Sequence, residues 1–270
     1  MAKHSLRRVI AYIVVPTGAA SYGIHRGLSH LEEKYPELPA KATTSTALRT
    51  PSSPATQRCA YTDVYATRVP LPALELRTRP SSLSTTTSDK TALEDAWARS
   101  VIGSKLLRAE GFLIGLFKHG RYTPGNTGDT EAGFAPDAET GAPRELLNGM
   151  LVAQREPGSP DADSNGLLIS WQMADEPRAF FEKIARWGYP WRLMSGGRHE
   201  MSVSEPFEMC GQGRVVEVRF ATAHDYEVVP EEGGPETQKI IPGWTARLHR
   251  GYARLVLDLA AREVEQADWD

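Results

Sequence analysis

The chain has 270 residues, enough for one large domain or two small ones with a sizeable core. Its 31 Lys and Arg residues are balanced by 34 Asp and Glu, a net charge of −3, so no chain-wide basic field exists and nucleic acid is not an expected partner. Hydrophobic residues make up 40% and charged residues 24%, while 23 glycines and 19 prolines mark a loop-rich folded chain rather than a disordered one. Cys59 and Cys210 form no metal-spaced pair and no Asn-x-Ser/Thr sequon occurs, which points to a reducing compartment.

Lys3, Arg7, Arg8 and Arg26 all precede the first acidic residue, Glu32, and they flank an uncharged stretch from Val9 to Ile24. A bilayer span takes about 20 apolar residues, so this stretch is short for one, and Pro16 and Gly18 interrupt it. A short membrane anchor, a mitochondrial-type presequence, a secretory h-region and an ordinary buried helix remain open. Whichever holds, residues 1–31 are expected to lie outside the core fold; the leading expectation is membrane association through this segment, leaving mitochondrion and endoplasmic reticulum unresolved. The Ser/Thr/Pro-rich run KATTSTALRTPSSPATQR ends a linker over residues 32–58, and one domain is expected over residues 59–270.

Within that domain a strand is expected from Tyr61 to Val69, followed by a polar stretch and a helical region from Thr91 to Phe117 capped by Ser88 or Asp89. Residues 119–145, rich in glycine, read as a long surface loop or lid. The period then changes to two, and Leu147–Arg155, Gly166–Met173, Trp191–Glu208 and Arg214–Glu227 read as antiparallel strands, with a short helix over Pro177–Trp187. In the final helix, Pro242–Glu265, Trp244, Leu248, Tyr252, Leu255 and Leu259 recur at helical spacing, with Arg247, Arg250 and Arg254 on the solvated side.

Strand, helical region, antiparallel meander and long C-terminal helix make an α+β order in which a curved sheet wraps the helix. Through this order, and patches such as GLLISWQ, RHEMSVSEPF and VVEVRFATAHDY, residues 60–265 resemble the helix-grip superfamily of START, Bet v 1-like and polyketide-cyclase-like domains. The resemblance implies an elongated cavity between sheet and last helix that holds a lipid, isoprenoid or polyketide. It also implies carriage, or cyclisation or isomerisation without a cofactor.

If Gly211–Gln212 form a two-residue turn, Cys210 pairs with Gly213 and the register follows. Phe207 then faces Val216, Val203 faces Phe220, Met201 faces Thr222 and His199 faces His224, all on the inner side. Glu205 shares that side, although Pro206 favours a bulge beside it. His199 and His224 are therefore candidate bases and Glu205 a candidate acid, since imidazole titrates near neutral pH. Ordinary cavity-rim histidines are the competing reading. Ile169, Trp171, Met201, Val203, Phe220, Thr222, His249 and Tyr252 are expected to line the cavity, while Trp187, Tyr189 and Trp191 cluster at its mouth or at the sheet edge. No metal is expected, because His199–Glu200 and His224–Asp225 are neighbours whose side chains diverge along a strand. Gly211-Gln-Gly213 precedes a strand rather than a helix, and no Walker, His-Glu-x-x-His or Gly-x-Ser-x-Gly sequence occurs, so nucleotide, zinc-protease and common hydrolase chemistry are disfavoured. The expectation is an apolar-ligand binder, with a cofactor-free cyclase or isomerase within it. A lipid or quinone carrier, or a membrane-tethered interaction module with a filled cavity, are the alternatives.

Overall fold

The computed structural model describes residues 15–79, 89–160 and 165–266. Ser88 and the first part of the N-terminal apolar stretch, residues 9–14, lie outside the described residues. The elements in order are helices α1 (Val15–Lys34), α2 (Ala40–Thr43) and α3 (Thr46–Arg49), strand β1 (Gln57–Pro70), and helices α4 (Leu71–Glu75), α5 (Asp89–Ile102) and α6 (Lys105–His119). Strands β2 (Glu145–Leu146), β3 (Leu151–Arg155) and β4 (Leu167–Gln172) follow, then α7 (Asp175–Arg186), β5 (Gly196–Val203), β6 (Phe207–Met209), β7 (Gly213–Glu227) and helix α8 (Gly243–Gln266). The strands form one open antiparallel sheet in the order β1-β7-β5-β4-β3-β2, with β6 also beside β7, so the fold is α+β as expected.

Alternation along the strands sends Tyr65, Ile169, Met201, Val203, Val218 and Phe220 to one face. There they join Trp97 and Val101 of α5 and Val256, Leu257, Ala260 and Val264 of α8 in the main core. The indole Nε1 of Trp97 donates to the carbonyl of Arg219 at 2.9 Å, which ties α5 to the sheet. The long loop after α6 is not wholly on the surface, since Phe134 is buried in the same core.

The opposite face of the sheet is also covered, by the stretch expected to be a linker. Leu48 of α3 is fully buried against Val64, Leu168, Ala221 and Ala223. Ser45 caps α3 by accepting from Leu48 N at 3.1 Å, and its own backbone N–H donates to Glu200 at 3.1 Å. Glu200 also accepts from Arg155 at 3.1 Å and from Asn165 at 3.0 Å. Arg198 holds both oxygens of Asp225, at 2.5 and 2.8 Å, and donates to the Leu48 carbonyl at 2.7 Å. Ser/Thr/Pro composition therefore does not leave this run free of the fold, because buried charges on the sheet need its backbone groups as partners.

The N-terminal helix departs from expectation in the same way. Thr17–Gly27 is exposed, but Leu28 packs at Gly251 of α8, where an added Cβ would collide with it, and Leu31 packs on the main core. Arg247 pairs with Glu32 at 2.8 Å, and Lys34 and the Tyr35 hydroxyl both meet Asp258 at 2.6 Å. Among the described residues no helix is long and apolar enough to cross a membrane.

Because α1 covers α8 from one side and the sheet from the other, the buried side of α8 is not the predicted stripe. Trp244 and Leu248 are exposed, Leu255 and Leu259 are half-buried, and Ala253, Val256, Leu257, Ala260, Ala261 and Val264 are buried. Arg254, expected on the solvated side, is buried: its Nε donates to the Tyr35 carbonyl at 2.8 Å and its guanidinium lies 4.1 Å from the Tyr65 ring centroid. Leu257→Ala is expected to cost about 2–5 kcal/mol in chemical denaturation and Arg254→Ala about 1–3 kcal/mol, with Leu255→Ala the mildest of the three. Equal effects at Leu255 and Leu257 would contradict this placement.

Candidate functional site

The hairpin that carries the candidate histidines closes differently from the predicted two-residue turn. Met209 rather than Cys210 pairs with Gly213, so Cys210, Gly211 and Gln212 form the loop, and Gly211 and Gly213 take φ values of 78° and 73°. A second slip of one residue lies at Ser204–Pro206, where Ser204 N donates to the Glu217 carbonyl at 2.9 Å and Ser204 Oγ accepts from Glu217 N at 3.0 Å. The two slips together move the register by two. That preserves the face and changes the partner: His199 pairs with Thr222, and His224 pairs with Gly197.

The two histidines are thus diagonal on the inner face rather than opposite. Trp171 of β4, also opposite Gly197, occupies the space between them, with its ring centroid 6.4 Å from His199 and 6.5 Å from His224. Gly197 makes this possible, since a Cβ there would approach the indole to 2.9 Å. His249, from the first half of α8, completes the group at 6.4 Å from Trp171 and 4.6 Å from His224.

Between this group, the sheet and α8 lies a cavity of about 340 Å³. Its sheet wall is Ile169 and Trp171, His199 and Met201, and Phe220 and Thr222; its roof is His249, Tyr252, Ala253 and Val256. Seven of the eight residues expected to line it do so. Val203 does not, because it lies further along β5 in the packed core. His224 is fully buried behind the wall, stacked on Tyr61 at 4.4 Å, and is absent from the lining. Glu205 is displaced altogether: the slip at Ser204–Pro206 turns it to solvent, where it meets Lys90 at 3.7 Å with 76% of its side chain exposed. The acid–base set His199, His224 and Glu205 is therefore not assembled around the cavity.

Sequence reasoning missed Leu107 and Glu110 of α6, Met150 and Leu151, Gln172 and Met173, and Met194, which complete the lining. Glu110 accepts from the Tyr252 hydroxyl at 2.6 Å. No local signal marks Glu110, because its place depends on how α6 meets α8. Among the described residues no group of three or more His, Cys, Asp or Glu converges as a metal site. Of the predicted aromatic cluster, Trp187 is exposed beneath Lys183, while Tyr189 packs edge-on to Trp191 at 5.3 Å.

Burial sets the electrostatics. Desolvation, and next the nearby His249, lower His199 to about 3; the same two causes, with His199 added, hold His224 well below its ordinary value, and desolvation lowers His249. Near neutral pH all three are uncharged imidazoles, which offer hydrogen bonds rather than a positive charge. Burial and the Glu110 carboxylate both raise Tyr252 above the ordinary phenol range.

A pH dependence of stability follows from the lowered value at His199. The unfolded chain protonates this histidine near pH 6.5 while the folded chain does so only near 3, so the unfolded state binds the extra proton between those values. The stability present above about pH 6.5 is then lost as the pH falls toward 3. His199→Gln removes this dependence, and from pH 7 to pH 5 its urea-unfolding free energy should gain on the native chain by about 2 kcal/mol. Parallel pH profiles for the two proteins would contradict a neutral buried His199.

Comparison of the chain with protein-family models, with curated proteins and with solved structures gives no match. The chemistry of the cavity itself is the ground on which a function is assigned.

Proposed function

We propose that this protein is a helix-grip domain that binds a compact apolar molecule between its sheet and its C-terminal helix. The observation that carries the reading is the cavity of about 340 Å³ walled by Ile169, Met201, Phe220 and Val256, with His199, Thr222 and His249 among its few polar groups. Buried apolar walls with a small number of placed polar groups are the usual composition of a ligand pocket. The strand order, with the first strand beside the last and a long helix across the inner face, supports the helix-grip assignment.

Ligand pockets span about 300–1,000 Å³, so this one is at the small end. A bicyclic or tricyclic polyketide or a short isoprenoid suits it better than a long polyprenyl tail. Binding is the reading, rather than acid–base cyclisation, because Glu205 is at the surface and His224 is behind the wall.

The neutral fluorophore N-phenyl-1-naphthylamine tests this. The folded chain should bind it with a saturable rise in fluorescence, and Ile169→Trp, which fills the cavity, should abolish the rise while the far-ultraviolet dichroism is kept. Absence of binding to the native chain, or equal binding to the filled variant, would overturn the proposal. Native mass spectrometry of the purified protein should in addition show a co-purifying neutral molecule that Ile169→Trp does not retain.

A further inference from the structure

The polar end of the cavity is under-bonded in a specific way. His199 and Thr222 are cross-strand partners whose side chains both line it, and such pairs have Cβ atoms about 4.5–5.5 Å apart. His249 lies beyond them on α8 and lines the same space. Among the described residues none hydrogen-bonds the side chain of His199, Thr222 or His249. Beside them Trp171 Nε1 and His199 Nδ1 are buried without partners. Of these groups, the side chains of His199, Thr222 and His249 line the cavity, and lining groups without a partner in the protein favour a ligand that supplies the missing bonds.

The chemistry of that supplier is narrow. No Lys or Arg lines the cavity, and the histidines are uncharged near neutral pH, so an anionic group would enter without a counter-charge. A cation would find only Glu110, which already accepts the Tyr252 hydroxyl. A neutral imidazole offers one donor and one acceptor, and the threonine hydroxyl offers both roles. An uncharged oxygen satisfies these partners: a carbonyl accepts from two donors, and a hydroxyl accepts from one group while donating to another.

We infer that His199 and Thr222 select a ligand carrying an uncharged oxygen, a ring carbonyl or a phenolic hydroxyl, and turn away the corresponding carboxylate. The inference rests on the apolar-ligand reading of the same cavity. It adds that the ligand is a compact oxygenated ring system whose oxygen sits at the histidine end. Phe220, stacked on His199 at 5.3 Å between ring centroids, and Trp171 flank the position that the ring edge occupies.

Naphthalene, 2-naphthol and 2-naphthoate separate this inference from the reading beneath it, since they share one ring system and differ in the head. Titrated against the full chain near neutral pH, 2-naphthol should bind about tenfold more tightly than naphthalene, and 2-naphthoate at least about tenfold more weakly than 2-naphthol. Thr222→Val, which keeps the shape and removes the hydroxyl, and His199→Phe should each reduce the advantage of 2-naphthol over naphthalene to about twofold. If His199→Phe does not fold, Thr222→Val alone decides. Equal binding of naphthalene and 2-naphthol, or binding of 2-naphthoate as tight as that of 2-naphthol, overturns the inference and leaves the cavity reading intact. Failure of all three to bind overturns the cavity reading itself.

Discussion

The long antiparallel pairing of β1 with β7 is the constraint on which the rest depends. It joins the first strand of the chain to the last and runs from Gln57 opposite Glu227 to Pro70 opposite Val215. Of the elements between the two strands, β2 to β5 extend the sheet on the β5 side and α5 covers its inner face. The pairing sets Tyr61, Asp63 and Tyr65 beside His224, Thr222 and Phe220, so the inner face carries polar groups at one end and aliphatic ones at the other. Helix α8 follows β7 and crosses that face. Its Ala260, Ala261 and Val264 pack in the core beyond the cavity, over which His249, Tyr252, Ala253 and Val256 stand.

The outer face shows how a sheet edge-to-edge in one layer can be buried on both sides. Arg198 with Asp225, and Glu200 with Arg155, are ion pairs almost wholly out of solvent. Such pairs contribute little net stability against an apolar alternative, but removing one partner strands a buried charge. Their value here is geometric. Each pair also takes a group from the 45–48 segment, the Ser45 N–H for Glu200 and the Leu48 carbonyl for Arg198, so the segment docks in one place only.

The histidine group shows the same economy from the other direction. The Trp171 ring lies 6.4–6.5 Å from each of the three imidazoles and His224 lies 4.6 Å from His249, so charged imidazoles there would repel, and burial keeps them neutral. The ring nitrogens left without a partner, Trp171 Nε1 and His199 Nδ1 among them, are a cost that the fold bears at the pocket wall. Asp63, raised to about 6 chiefly by burial, with one carboxyl oxygen unpartnered, extends this polar track along β1 toward α1.

Local patterning alone determined a good deal. Alternation in GLLISWQ and VVEVRFATAHDY named the inward residues Ile169, Trp171, Phe220 and Thr222, because the strand period is two whatever the partner strand does. The α+β order and the final helix were legible for the same reason. What the tertiary structure decided is where local signals meet a distant surface. The slips at Cys210–Gln212 and Ser204–Pro206 changed the partner of His199 and sent Glu205 to solvent, and nothing in the hairpin sequence fixes two compensating shifts. Glu110 reached the cavity through the meeting of α6 with α8, and Arg254 and Leu48 were buried by α1 and by the sheet's outer charges. A side chain's direction follows from its own few neighbours in sequence; its partner and its exposure follow from surfaces brought together across the chain, which no short window contains.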